Sequence, residues 1–169
     1  FGADSIAAKE KRTVTVQALG GTGGLKIGAD FLRRFAPDAQ VWISDRSWEN
    51  HRALFEYAGY SVKSYPYYDA ETHGVRFDAM LDTLNGLPSG TMALLHACCH
   101  NPTGIDPTRE QWRQIADMVH ERGLLPLVDF AYQGFGDGLE EDAFGLRELA
   151  RPGKELLVCS SYSKNFGLY

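Results

Sequence analysis

Apolar positions along this chain follow two rhythms, and the rhythms alternate. Thr13-Val14-Thr15-Val16-Gln17-Ala18 is β-branched with a period of two, which predicts a strand. Leu25, Ile27, Phe31, Leu32 and Phe35 recur at helical spacing, and Pro37 stops that helix. Gln40 to Ile43 predicts a second strand; a helix from Trp48 to Tyr57 is closed by Gly59. Ser61 to Tyr68 reads as a short aromatic strand and Phe77 to Leu84 as a helix. Thr91 to Cys99 is a continuous apolar run of the kind buried on both faces of a parallel sheet. Thr108 with Gln111 suits a capping box, opening a helix to Arg122-Gly123. Leu124 to Val128 is a strand, Leu139 to Ala150 a helix, and Leu156 to Cys159 the last buried strand. Before all of these, Ala3 to Arg12 reads as the end of a helix. Strands alternating with helices predict an α/β fold: a mostly parallel sheet covered by helices, with right-handed crossovers. Neither internal repeats nor a linker interrupts it, and 169 residues is about one domain.

Charge and cysteines narrow the function classes. A net charge of -5 argues against nucleic acid or a membrane surface as the partner, and no apolar run reaches bilayer length. Cys98, Cys99 and Cys159 form no even framework and no C-x-x-C. All three sit in apolar runs, which suits buried thiols in a reducing cytosol. His96-Ala97-Cys98-Cys99-His100 matches no zinc spacing, so core packing rather than metal is expected there. The chain opens on Phe1 and stops at Tyr169 without a closing element. A piece of a larger protein, cut at both ends, is therefore expected.

The polar residues that break the hydrophobic plan cluster after strands. Gly20-Gly21-Thr22-Gly23-Gly24 between a strand and a helix can form an anion site, since backbone N–H groups and the helix dipole converge there. Its spacing is neither the dinucleotide fingerprint nor the P-loop. Trp48 and His51, Asn101, Asp129 with Tyr132, and Ser161, Ser163 and Lys164 follow later strands. One crevice at the strand ends would hold them all. Together they suit a phosphorylated pyridine aldehyde. The phosphate would lie on Gly21 and Thr22, with Ser161 and Ser163 as donors, and Lys164 would form the imine. Asp129 would keep the ring nitrogen protonated, Tyr132 and Asn101 would donate to the ring hydroxyl, Trp48 would stack on the ring, and His51 would orient Asp129. Taken singly, most of these have plainer uses. A strand-end Asp commonly caps a turn, Asn-Pro starts one, a Trp packs in a core, a helix His faces solvent, and serines bond nearby backbone. Their joint placement after successive strands favours the cofactor.

At these motifs the chain resembles the aspartate and aromatic amino acid aminotransferases, pyridoxal phosphate (PLP) enzymes of fold type I. The resemblance rests on the glycine loop, Ser47-Trp48-Glu49-Asn50-His51, Cys98 to Thr108, Asp129 to Gly134, and Ser160 to Tyr169. It implies a three-layer sandwich, the large domain of that fold. It implies Lys164 as Schiff-base lysine and proton shuttle, with Asp129 and Tyr132 also catalytic. Gly21, Thr22, Trp48, Asn101, Ser161 and Ser163 would bind the cofactor, with His51 behind Asp129. It further implies amino acid and 2-oxo acid substrates and a cytoplasmic homodimer. The family's phosphate-gripping arginine beyond the lysine, its small C-terminal domain with the carboxylate-clamping arginine, and the partner subunit's tyrosine have no counterpart in these residues. Little or no turnover is expected of this chain alone. Two rival functions stand beside this one: a PLP-dependent decarboxylase or lyase on the same scaffold, and a noncatalytic phosphate- or nucleotide-binding module.

Overall fold

The computed structural model describes residues 1–2 and 4–169. Its elements are α1 (Ile6–Lys9), α2 (Gly20–Phe35), β1 (Val41–Ser44), α3 (Glu49–Tyr57), β2 (Val62–Tyr65), β3 (Tyr68–Asp69), β4 (Gly74–Val75), α4 (Phe77–Asn85), β5 (Met92–His96), α5 (Arg109–Arg122), β6 (Leu125–Phe130), α6 (Phe144–Leu149) and β7 (Leu157–Ser160). Five strands form one parallel sheet in the order β2-β1-β5-β6-β7. The chain moves outward from β1 to β2, then returns to β5 on the other side of β1. The order therefore reverses between β1 and β5, the kind of point at which open α/β sheets leave a crevice.

Each face of the sheet has its own apolar core, which makes three layers. Leu25, Ala29 and Leu32 of α2 and Phe55 of α3 pack with Val41, Ile43, Met92, Leu94 and Leu127. On the other face, Met80 and Leu84 of α4, Ile115 and Val119 of α5 and Leu146 and Leu149 of α6 meet Ala93, Leu95, Val128 and Phe130. Alternate strand residues thus serve opposite layers. Leu94 and Leu127 are essentially fully buried, each stabilising the fold by about 1.5–3 kcal/mol. The Thr108–Gln111 capping box forms as the sequence predicts, and Gly123 closes α5 with φ of 63°, a left-handed conformation that suits glycine.

Several expected elements differ. Thr13 to Ala18 is no strand: nearly all of it is exposed, Val14 at 93%, and no described strand pairs with it. Its β-branched pattern has no ladder to join. The N-terminal helix is only α1; Ala3, its expected start, lies outside the described residues. The glycine run is the first turn of α2 rather than a loop before it, entered through Gly20 at φ of 65°. The aromatic strand stops at Tyr65, because Pro66 offers no N–H to a ladder. Tyr68–Asp69 instead pairs antiparallel with Gly74–Val75. β5 ends at His96, three residues before the expected Cys99. The helix expected from Leu139 is only Phe144–Leu149, since Asp142 turns its carboxylate back onto the preceding loop.

Candidate active site

The register of the sheet sets the site. His96 pairs with Asp129, and Asp129 with Cys159, in one row across three strands. All three side chains point to the α2–α3 face, the side of Leu94 and Leu127. Asp129 is therefore inside β6, not beyond its end. A cavity of about 370 Å³ opens at this corner. Gly20, Gly21, Thr22 and Leu25 of α2 form one wall, and Trp48 at the start of α3 another. His96, Cys98 and Asn101 come from the end of β5, Asp129 and Tyr132 from the end of β6, and Ser163 and Lys164 from beyond β7. Of the ten residues singled out in the sequence, eight line this one space. Ser161 lies just behind it and hydrogen bonds Ser163, Oγ to Oγ at 2.9 Å. His51 lies behind Asp129, with Nε2 2.8 Å from Oδ2.

The first turn of α2 faces the two serines. The N–H groups of Gly20, Gly21 and Thr22 precede the first helical bond, which Gly23 N–H makes to Leu19 O. A Cβ on Gly21 would stand 3.4 Å from Ser161 Cβ, so glycine keeps this approach open. Ser161 Oγ accepts the Ser163 N–H at 3.1 Å and donates to Ser163 Oγ, which leaves the Ser163 hydroxyl hydrogen free. Next to Ser163, Lys164 is exposed to the cavity, its Nζ 5.0 Å from the Tyr132 ring centre. Among the described residues it makes no ion pair.

Behind Asp129 runs a chain of hydrogen bonds whose directions can be assigned. Asn101 N–H can only donate, so His96 Nδ1 accepts it, at 3.2 Å. A neutral His96 ring then carries its proton on Nε2 and gives it to Ser47 Oγ, at 3.4 Å. Ser47 in turn donates to His51 Nδ1 at 2.8 Å, which places the His51 proton on Nε2, aimed at Asp129. Burial keeps His96 neutral by pushing its pKa well below the usual range, and the neighbouring His100 and His51 act in the same direction. His100 stacks between His96 and Tyr67, with ring centres 4.3 and 3.9 Å away. Burial takes its pKa down to about 4. Its Nε2 meets Ser44 Oγ at 2.9 Å and its Nδ1 meets Thr103 Oγ1 at 2.8 Å. Burial also raises the Cys98 thiol and lifts Cys159 to about 12, with Asp129 nearby adding to the rise. Neither thiol is an activated nucleophile.

Ser47, His96, His100 and Asp106 were not among the site residues the sequence suggests. His96 and His100 read as core packing, and packed they are, yet every ring nitrogen has a polar neighbour. Ser47 stands four residues before His51, a spacing that puts both on one side of a helix start; that signal was available. Asp106 accepts the N–H of Cys99 at 2.6 Å and of His100 at 2.8 Å, and so closes the loop that carries Asn101. Cys99 adopts φ of 48° there, unusual for a side chain other than glycine. No cluster of His, Cys, Asp or Glu among the described residues could hold a metal ion, and no described helix is long and apolar enough to cross a membrane.

The chain as a whole is similar to known proteins. Aspartate aminotransferase of Escherichia coli K12 is 55% identical over all 169 residues, which make up 43% of that relative. An aromatic amino acid aminotransferase from Burkholderia cenocepacia J2315 superposes with a TM-score of 0.98 at 58% identity, over 100% of this chain and 42% of that one. An aromatic-amino-acid aminotransferase from Burkholderia pseudomallei, covalently bound to pyridoxal phosphate, gives 0.96 at 57% identity over 98% of this chain and 42% of that one. The chain thus spans less than half the length of the relatives it matches. The family model described as aminotransferase class I and II matches residues 1–169, and the chain belongs to that family.

Proposed function

We propose that this chain is the cofactor-holding part of an aminotransferase that moves an amino group from aspartate or an aromatic amino acid to a 2-oxo acid, with pyridoxal phosphate bound through Lys164. The observation that carries the proposal is the donor set around one cavity: a lysine amine, a carboxylate backed by an imidazole, and a helix N-terminus flanked by two serines. That set fits the cofactor's aldehyde, ring nitrogen and phosphate in turn. When bound, pyridoxal phosphate supplies an electron-withdrawing ring that weakens the substrate's α-C–H bond.

The chain's own residues then have separate tasks. The N–H groups of Gly20, Gly21 and Thr22 and the Ser163 hydroxyl hold the phosphate, and Ser161 orients Ser163. Asp129 keeps a proton on the ring nitrogen through a charge-assisted hydrogen bond, and His51 Nε2–H holds Asp129 in place. The Tyr132 hydroxyl and the Asn101 side chain donate to the ring hydroxyl. Trp48 stacks on the ring. Lys164 Nζ, once the substrate's amine has taken its place, would accept the proton from the substrate's α-carbon and return it to the cofactor's aldehyde-derived carbon, across the imine nitrogen. The free thiols Cys98, Cys99 and Cys159 suit a cytoplasmic protein, and we expect the whole protein to be a homodimer.

The test is covalent trapping. Added pyridoxal phosphate should give the chain an absorbance band in the range of about 360–430 nm. Borohydride should then fix one label, mapped by peptide mass to Lys164. Lys164→Ala should lose the label completely, the largest single effect expected of any substitution. Labelling that persists in that variant sinks the lysine assignment. A parent chain that binds nucleotides instead, with no visible band, would point to a noncatalytic module.

A further inference from the structure

We infer that Asp142, which lies outside the cavity, is a positioning residue for Tyr132, holding the loop that aims the phenol. The inference rests on the proposed role of Tyr132 at the ring hydroxyl. After β6 ends at Phe130, residues 131–143 contain no regular strand or helix. Gly134, Gly136 and Gly138 fall within this stretch, and Gly134 and Gly138 have positive φ, 94° and 143°. Such a segment has many unfolded conformers and little intrinsic reason to hold a side chain still.

Asp142 supplies the reason. It is 6% exposed, and all its side-chain hydrogen bonds go to this loop. Oδ2 accepts Gly134 N–H at 2.7 Å and Gly136 N–H at 3.1 Å; Oδ1 accepts Asp137 N–H at 2.8 Å. Its own N–H donates to Gly138 O at 2.9 Å, so the loop closes on the residue from both sides. A Cβ on Gly136 would sit 2.6 Å from Oδ1, which explains glycine at a position of ordinary φ. Burial alone would raise the Asp142 carboxyl, but the N–H groups of Gly136, Asp137, Gly134 and Gly138 outweigh it and hold it below the usual carboxylate range.

The far end of the clamp is fixed. Asp142 and Ala143 lead directly into α6, whose Leu146 and Leu149 are buried. Gly145 lies so close to the Trp112 indole of α5 that any Cβ would overlap it. At the near end, Phe135 N–H donates to Tyr132 O at 3.1 Å, and the two rings meet edge-on. Packing of α6 on α5 is thereby transmitted through one carboxylate to the backbone beside Tyr132. Asp106 is built the same way beneath Asn101. Each proposed donor to the ring hydroxyl thus stands on a loop tied to a carboxylate that never touches the cavity.

The experiment has two arms, on Asp142→Ala and on Asp142→Asn, which keeps one carbonyl acceptor. The first is amide hydrogen exchange of the chain without cofactor, resolved to residues 133–138. Faster exchange confined to those residues is expected for Asp142→Ala, with Asp142→Asn between it and the parent; parent-like exchange in both variants overturns the clamp. The second arm titrates the visible band of the pyridoxal phosphate-loaded chain with pH. Weakening a donor to the ring hydroxyl raises that oxygen's basicity, so the midpoint should rise by up to about one pH unit in Asp142→Ala. Tyr132→Phe should raise it too, and the double variant should go no further. Shifts that simply add overturn positioning through Tyr132. If the parent chain forms no visible band, the cofactor reading fails, and the exchange arm alone decides the clamp.

Discussion

Asp129 and Lys164 line one cavity but are held differently. Around Asp129 the polar groups brace one another. The carboxylate side chain is 13% exposed, His51 is fully buried, and Ser47, His96 and the Asn101 backbone continue the chain of hydrogen bonds. At Lys164 the amine is exposed, with the Tyr132 ring beneath it and no described ion-pair partner. The contrast matches the tasks proposed for the two residues. A group that holds one proton at one ring nitrogen gains from rigidity. A group that must leave a carbon and later carry a proton to that same carbon cannot be tied down. Fixed and mobile chemistry thus share one space.

The largest test of the braced group is Asp129→Asn. The amide oxygen can still accept from His51, so packing is nearly conserved, but the charge that holds the ring proton is gone. A hydrogen bond to a charged group contributes about 1.5–3 kcal/mol, so pyridoxal phosphate affinity should fall by roughly 10- to 100-fold, measured by absorbance titration. Unchanged affinity would erase the proposed distinction between the two residues.

The bracing has a cost at acid pH. His100 is neutral in the fold down to a pKa of about 4, against 6.5 in the unfolded chain. Between those values the unfolded state binds a proton that the folded state does not, so stability falls as pH falls. The slope approaches about 1.4 kcal/mol per pH unit from this residue, and His96 adds to it in the same direction. From pH 7 to pH 5 the urea unfolding free energy should drop by about 2 kcal/mol for His100 alone. In His100→Gln, which can still face Ser44 and Thr103, the drop should be shallower. An identical slope in the two proteins would mean that the stack beneath the braced group does not govern acid stability.

How much of this was legible in the sequence follows from the range of each interaction. Elements whose determinants are local read correctly: the Thr108–Gln111 box, the buried run at Leu94, and the strand before Ser161. Thr13 to Ala18 misled because a strand needs a partner, and pairing is not a local property. The loop at Asp142 misled for a related reason. A carboxylate bonding back to three N–H groups outweighs helix propensity over Leu139 to Ala143. The residues lining the cavity were visible because strand ends gather them whatever the exact register. The roles of Ser47 and His96 were hidden, since they depend on α3 approaching β5 across the sheet, with ring centres of His51 and His96 5.0 Å apart.

The smallest effect separates the phosphate seat from the braced group. Ser163 Oγ already accepts from Ser161, and its own hydrogen is free to donate. Ser163→Ala removes that donor but leaves the N–H groups of Gly20, Gly21 and Thr22 in place. The loss should be about 1.5 kcal/mol, the low end for a bond to a charged acceptor, or roughly tenfold in pyridoxal phosphate affinity. Pyridoxal, which lacks the phosphate, should bind parent and Ser163→Ala equally, whereas Asp129→Asn should weaken both ligands. Ser161→Ala goes one step further back. It takes away the hydroxyl that fixes the Ser163 oxygen and the acceptor for the Ser163 N–H. It should therefore cost at least as much as Ser163→Ala, though Ser161 lies behind the cavity wall. If pyridoxal and pyridoxal phosphate respond alike to the two serine substitutions, the serines support the loop beside Lys164 rather than the phosphate. The phosphate seat would then reduce to the first turn of α2.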